Sequence, residues 1–328
     1  MHPIAVRLCA ALLALSAAAG VLAQGATGYP ARPVRLLIPF VPGGSTDFVA
    51  RVMQVRLVEE LGQPIVLDNR PGASGNIAVE TVARAAADGY TLLFGNIGTI
   101  AINPALFRDF PVSTLRDLAC VSMVADVSSM LTISATVPAA NVEEFVRYVK
   151  TRPGQLNYAS SGAGSNGRLS MEYFMRKAGV ELTHIAYKGA GGVTTALLGG
   201  EAQASFVAVP SVTQYVKTGR LKALAIVGPK RVDALPQVPT MIELGYPELN
   251  VSSWQGIYAP AATPAPVLRK LRDAIGKTLA DAKLQETLRG GGADLMAPAL
   301  QAECSGFTRQ QVEFWAKLVA QAGLTGKQ

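Results

Sequence analysis

A chain of 328 residues is long for one compact core and comfortable for two domains; 49% hydrophobic and 16% charged residues describe a globular protein. No low-complexity tract or solenoid-length repeat is present. The formal charge of +7 is scattered: the densest basic groups, residues 229–231 (PKR) and 269–272 (RKLR), are short and lack interleaved aromatics, which reads as solvated faces and excludes a nucleic-acid surface.

Residues 1–23 stand apart from the fold. Arg7 supplies a positive n-region, Leu8 to about Ala19 an apolar run, and Val21-Leu22-Ala23 a cleavage context. This reads as a secretory signal cut near Ala23, leaving an exported, periplasmic protein. A membrane anchor is the weaker reading, because the run is alanine-rich and short of the ~20 residues a span needs. Losing the leader removes Cys9 and leaves Cys120 and Cys304, either a disulfide or two separate buried thiols. Without Arg7, 29 basic residues face 23 acidic ones, a surplus that mildly favours an anionic ligand.

The mature chain then alternates short apolar runs with helical patterns. Residues 34–40 predict a strand, 46–61 a helix stopped by Gly62, 64–67 a strand, 76–87 a helix and 90–94 a strand. This order points to a parallel sheet flanked by helices. Residues 122–135 form one long extended segment that crosses between domains. Asn141, followed three residues later by Glu144, marks a capped helix running to about Lys150. Strands are expected at 156–159, 181–187, 204–207 and 221–227, with helices at 168–178, 193–198 and 211–218 between them.

After a proline-marked stretch, 254–260 reads as a strand, Thr263 as a cap with Pro264 in the first turn, and 267–288 and 300–322 as two long helices. These last helices lack a sheet of their own and are expected to return to the first unit. The expectation is an α/β protein of two lobes, with residues 24–122 and 230–328 in one and 123–229 in the other. Each lobe is expected to be a mainly parallel sheet flanked by helices. Two chain crossings make a hinge and therefore a cleft.

Four glycine- and hydroxyl-rich loops each follow a predicted strand and lead toward a helix. They supply Gly43, Gly44, Ser45, Thr46 and Asp47 beside Phe40; Gly98 and Thr99; Ser160, Ser161, Gly164, Ser165 and Asn166; and Gly189 and Ala190. Ligands of open α/β sheets sit beyond the carboxyl ends of the strands. The first turn of a helix offers unpaired N–H groups and about half a positive charge. One loop cannot hold a micromolar anion, which needs about 8 kcal/mol net when a hydrogen bond to a charged group gives roughly 1.5–3 kcal/mol. A loop from each lobe can, provided the lobes close together.

The G-x-G-x-x-G at Gly162, Gly164 and Gly167 suggests a dinucleotide site, but Glu181 opens the following apolar run instead of ending it, and the loop is rich in serine. His184 is the one histidine left after the leader and lies in a strand-like run. No G-x-S-x-G elbow and no cluster of metal-ligating residues occurs in the sequence. Asp47 reads as a carboxylate bonding first-turn N–H groups before it reads as a general base. Phe40 and Trp254 are packing residues by type, although either could line a cleft. The chain is therefore expected to be neither an enzyme nor a cofactor or metal binder.

Seven ordered segments carry a resemblance: PFVPGGSTDFVAR (39–51), NRPGASGNIA (69–78), DGYTLL (88–93), NYASSGAGS (157–165), HIAYKG (184–189), LPQVPTMIELG (235–245) and WQGIYAPAATP (254–264). The sequence resembles the Bug family of extracytoplasmic solute receptors, the binding proteins of tripartite tricarboxylate transporters. The resemblance implies a type II-like periplasmic binding fold with the ligand cleft between the lobes. It implies a small carboxylate ligand: a carboxylic acid, an acidic amino acid or an aromatic acid. Donors from 160–165 and 187–192 would grip it without a lysine or arginine clamp, and carbonyls of 40–45 would reach it through water. It further implies a monomer that serves membrane permease subunits; an exported sensor docking on a signalling partner is the alternative. Two departures stand out. Arg168 replaces the family's histidine and reads as a helix residue, and Val207 and Ala208 make one wall apolar, which suggests a ligand with a hydrophobic body.

Overall fold

The computed structural model describes residues 28–162, 164–250, 253–298, 303–321 and 325–326; the expected leader lies outside them. The chain builds two sheets. The first has strand order β11-β4-β10-β3-β1-β2. Its strands are β1 (Val34–Ile38), β2 (Ile65–Asn69), β3 (Thr91–Asn96), β4 (Leu118–Val127), β10 (Ser253–Pro260) and β11 (Ala293–Leu295). The second has order β7-β6-β8-β5-β9. It consists of β5 (Ser129–Ser134), β6 (Asn157–Ser160), β7 (Thr183–Ala186), β8 (Ala204–Ala208) and β9 (Leu221–Val227).

The two-lobed α/β class expected from the sequence is the one observed. Both sheets are mixed, however. β1 pairs parallel with β2 and β3, and β6 with β7 and β8. β10 runs antiparallel to β3 and β4, and β5 antiparallel to β8 and β9. These antiparallel strands are the ones that carry the chain into or out of a lobe.

The extended segment at 122–135 is two strands in two sheets, broken at Ser128. The first sheet thus keeps the chain to Val127, five residues past the expected boundary, because β10 pairs with β4 along its full length. The return crossing is also later than expected. After β9, Ile226 bonds backbone-to-backbone with Pro239 and Met241. Val232, Leu235, Val238, Met241 and Leu249 are buried in the second lobe's cores. The chain rejoins the first sheet at Ser253.

Local chemistry explains the helices. α1 (Ser45–Leu61) ends where Gly62 takes a left-handed turn, φ 68°, that a side chain disfavours. After α2 (Asn76–Ala83), the short helices α3 (Asn103–Leu106) and α4 (Thr114–Asp117) lead into β4. α5 (Val142–Lys150) starts with the expected reciprocal cap: Asn141 accepts from the Glu144 N–H at 2.9 Å, and Glu144 accepts from the Ala140 N–H at 2.8 Å. In the second lobe follow α6 (Asn166–Ala178), α7 (Ala190–Gly199) and α8 (Val209–Lys217). The helix expected at 267–288 is two, α9 (Ala265–Leu279) and α10 (Ala282–Gly290), divided by Asp281, whose carboxylate caps the second at the Leu284 N–H. Thr263 does not cap α9; its hydroxyl bonds the Pro260 carbonyl. α11 (Cys304–Gln321) completes the chain.

The late helices pack on the first sheet. Leu271 and Ile275 of α9 share a core with Met53 and Leu57 of α1. Trp315 of α11 joins the opposite face of the same sheet. Cys120 of β4 and Cys304 of α11, left open by the sequence, form a disulfide with a Cα–Cα distance of 5.9 Å. It closes a 184-residue separation that spans the whole second lobe. Cys120→Ala combined with Cys304→Ala is expected to lower unfolding stability by about 2–5 kcal/mol, read as a fall in the urea midpoint, without altering ligand affinity.

Candidate functional site

The carboxyl ends of β1 and β3 face those of β6 and β8 across a cavity of about 80 Å³ between the lobes. Each expected loop contributes to it, and each is held by bonds within its own lobe.

In the first loop, Phe40, Gly44, Ser45, Thr46 and Asp47 line the cavity, and the exposed Gly43 does not. Gly43 takes φ 86°, turning the chain into α1, whose first residues line the cavity. The buried Asp47 carboxylate accepts from the Gly43 N–H (3.0 Å), from Arg51 (2.8 and 3.0 Å) and from Asn69 (3.2 Å). Asn69 also donates to the Phe40 carbonyl at 2.9 Å. Burial works against the Asp47 charge; the bonds from Arg51, Gly43 and Asn69 overcome it and hold the carboxyl below its ordinary value. The Asp47 carboxylate therefore braces the loop, and its negative charge is matched by Arg51. Behind the loop, fully buried Gln255 of β10 donates to the Ser45 hydroxyl at 3.1 Å.

The second loop brings Asn96, Ile97 and Gly98 to the wall. Thr99 sits behind, where it and Asn96 lock each other: the Asn96 N–H donates to the Thr99 hydroxyl and the Thr99 N–H to the Asn96 side chain, both at 3.0 Å.

In the third loop, Ser161, Gly164, Ser165 and Asn166 line the cavity. Ser165 caps α6 at the Arg168 N–H, and Asn166 and Gly167 of that first turn line the cavity. Ser160 is buried one layer back. Its hydroxyl bonds His184 Nε2 at 2.7 Å and accepts from the Gly162 N–H at 3.3 Å. Burial and the nearby Arg168 charge push the His184 pKa down, so the ring is neutral at neutral pH. His184 thus supports the loop from its own strand. Arg168 is a helix residue, as read, paired with Glu172 at 3.9 Å, and is not part of the wall.

The fourth loop contributes Ala190, the first residue of α7, while Gly189 faces Phe40 and Val41 of the other lobe. Val207 and Ala208 also line the cavity. Trp254 does not; its indole donates to Gln311 at 2.9 Å and packs on Phe307.

The lobes touch across the cleft at glycines. A Cβ on Gly191 would lie 2.8 Å from the Pro42 carbonyl oxygen, one on Gly164 2.0 Å from Asn103 Oδ1, and one on Gly162 3.0 Å from the Ser74 hydroxyl. Gly167 is fitted to its own lobe: its Cβ would stand 2.1 Å from the Phe206 carbonyl. The G-x-G-x-x-G thus serves lobe closure and helix–strand contact.

Several wall residues had not been singled out in the sequence. Ser74 lies in GASG after β2, the same grammar as the four loops, and could have been read as a fifth. It takes φ 56°, unusual for a residue with a side chain, and Asn103 Nδ2 holds its carbonyl at 3.0 Å. Val127, Ser129 and Ser253 lie on the two crossings and carry no local signal. Among the described residues, no lysine or arginine lines the cavity.

Two α/β lobes joined by two crossings, with a cavity of mixed polarity between them, define a solute-binding protein of the periplasmic type. Residues 49–324 match the tripartite tricarboxylate transporter family receptor profile, and the chain belongs to that family. It is 37% identical to protein BugT of Bordetella pertussis over 319 residues, 97% of this chain and 98% of that one. The solved periplasmic binding protein BugD superposes with a TM-score of 0.86 at 34% identity, covering 90% of this chain and 99% of BugD. MatC of Rhodopseudomonas palustris, solved with bound malate, superposes with a TM-score of 0.83 at 30% identity, covering 89% and 100% of the two chains.

Proposed function

We propose that this chain is an exported receptor that captures a small organic carboxylate between its lobes and delivers it to the membrane subunits of a tripartite tricarboxylate-type transporter. One observation carries the reading. The first turns of α1 in one lobe and of α6 and α7 in the other open onto a single cavity whose wall, among the described residues, offers hydroxyls, backbone and the Arg51-paired Asp47 but no cationic side chain. Such groups stabilise an anion through several charge-assisted hydrogen bonds. The anion is gripped only when both lobes contribute, which couples binding to closure and gives the transporter a liganded shape to recognise. Malate in the related MatC structure supports a carboxylate as the guest. Family membership supports the transport role.

A thermal-shift screen of the mature protein against carboxylates and neutral sugars tests this. A cognate acid at a hundred times its Kd is expected to stabilise the folded state by about 2.7 kcal/mol, a rise in Tm of several degrees. A neutral sugar that raises Tm when no acid does would overturn the reading.

A further inference from the structure

The cavity wall has one polar group that the loops do not explain. Ser129 is 5% exposed and lines the cavity, yet among the described residues its hydroxyl has no hydrogen-bond partner. A buried hydroxyl without a partner costs stability, so its presence calls for a partner that arrives from outside. Ser129 is the first residue after the chain passes from one sheet to the other. Its backbone position is fixed on both sides: it pairs with Ala208 of β8 and with Val227 of β9, and the preceding Ser128 carbonyl accepts from the Val209 N–H at 3.0 Å. On the return crossing, Ser253 pairs with Val127, two residues before Ser129, and lines the same cavity. The two crossings therefore form a rear wall that carries two hydroxyls, with Val127, Val207 and Ala208 beside them. The loops at the carboxyl ends of β1 and β6 supply the wall where helix N-termini gather.

We infer that Ser129, with Ser253 beside it, is a specificity-determining subsite at the hinge that hydrogen-bonds a second acceptor group on the ligand, while the helix N-termini hold the first carboxylate. The inference rests on the carboxylate reading above and narrows it: the preferred guest is a short acid with a polar group at its far end, not a monocarboxylate with an apolar tail. The apolar residues Val207 and Ala208 then contact the carbon chain between the two ends. Because Ser129 sits where the lobes join, it is in place before closure and selects among acids at the first encounter.

Calorimetric titration of the full mature protein with matched probes tests the subsite: succinate, glutarate and adipate against butyrate, valerate and hexanoate. The wild type is expected to bind at least one dicarboxylate more tightly than the monocarboxylate of equal length. Ser129→Ala is expected to weaken that dicarboxylate by about tenfold or more, the loss of one hydrogen bond to a charged group, and to leave any monocarboxylate binding within about twofold. Ser253→Ala is expected to act in the same direction. The unliganded Tm of Ser129→Ala should not fall, since a hydroxyl without a partner has been removed; a structural serine would give the opposite. Equal weakening of both probe series, no weakening of either, or a wild type that prefers monocarboxylates would each overturn the subsite while leaving the carboxylate reading in place. Binding of neutral solutes alone would remove the carboxylate reading and the subsite with it.

Discussion

Gly191→Ala is expected to weaken ligand binding by about a hundredfold or more while leaving the unliganded protein as stable as before, or more so. Gly191 is the second residue of α7, where alanine is favoured over glycine by about 1 kcal/mol. In the closed arrangement its new methyl would stand 2.8 Å from the Pro42 carbonyl oxygen, which belongs to the backbone of the opposite lobe and cannot swing aside. The methyl is harmless when the lobes are apart and obstructive when they meet. The anion would then lose donors from one side; two hydrogen bonds at roughly 1.5–3 kcal/mol each amount to about two decades or more in Kd. Gly199→Ala provides the control, since it lies in the same helix and a Cβ there meets nothing within 4 Å. Calorimetry gives the affinity, and small-angle scattering reports whether ligand still compacts the protein. Unchanged affinity and full compaction in Gly191→Ala would show that the carboxylate does not require the closed contact.

Asp47→Ala is the second substitution with a large expected effect, through a different route. It leaves the Gly43 N–H without its acceptor, strips Asn69 of one of its two acceptors and releases Arg51, so a loss of about 2–4 kcal/mol in folding stability is expected, together with weaker ligand binding as the first loop loosens. Arg51 is half exposed and tolerates the loss of its partner in water. The pH dependence has a defined sign. The folded-state pKa of Asp47 is depressed below its ordinary value of 3.8, so its contribution is complete above about pH 4 and disappears as pH falls through the folded value. Urea unfolding at pH 7 and at successively lower pH checks this: the gap in stability between wild type and Asp47→Ala should narrow in acid. A constant gap down to pH 2 would show that the charge of Asp47 is not what braces the loop.

The outline of the fold was legible because it rests on local signals. Apolar runs of strand length, Gly62 after a helical pattern, and the Asn141–Glu144 cap each act within a few residues, and each produced the expected element. The errors fell where a distant partner overrides the local pattern. Residues 122–135 do cross between the lobes as read, but the sequence did not locate the break at Ser128, where β10 holds the portion through Val127 in one sheet and β8 and β9 hold the portion from Ser129 in the other. Residues 230–250 were expected in the first lobe, yet their apolar residues are buried in the second. Asp281 divides a continuous helical pattern because its carboxylate is available as a cap.

The same division runs through the site. Glycine and hydroxyl residues after predicted strands announced four loops, since close backbone approach and hydroxyl donors need those residue types wherever they occur. Which loop residues reach the cavity was settled by packing: Ser160 and Thr99 support from behind, while Ser161 and Gly98 form the wall. Residue types along the chain were enough to announce two α/β units and the glycine- and hydroxyl-rich loops at their strand ends, because those follow from short-range backbone and hydrogen-bonding chemistry. The Cys120–Cys304 bridge, the glycine contacts between lobes and the placement of Ser129 emerged only once the chain had folded, because each depends on groups brought together across more than a hundred residues or across the hinge.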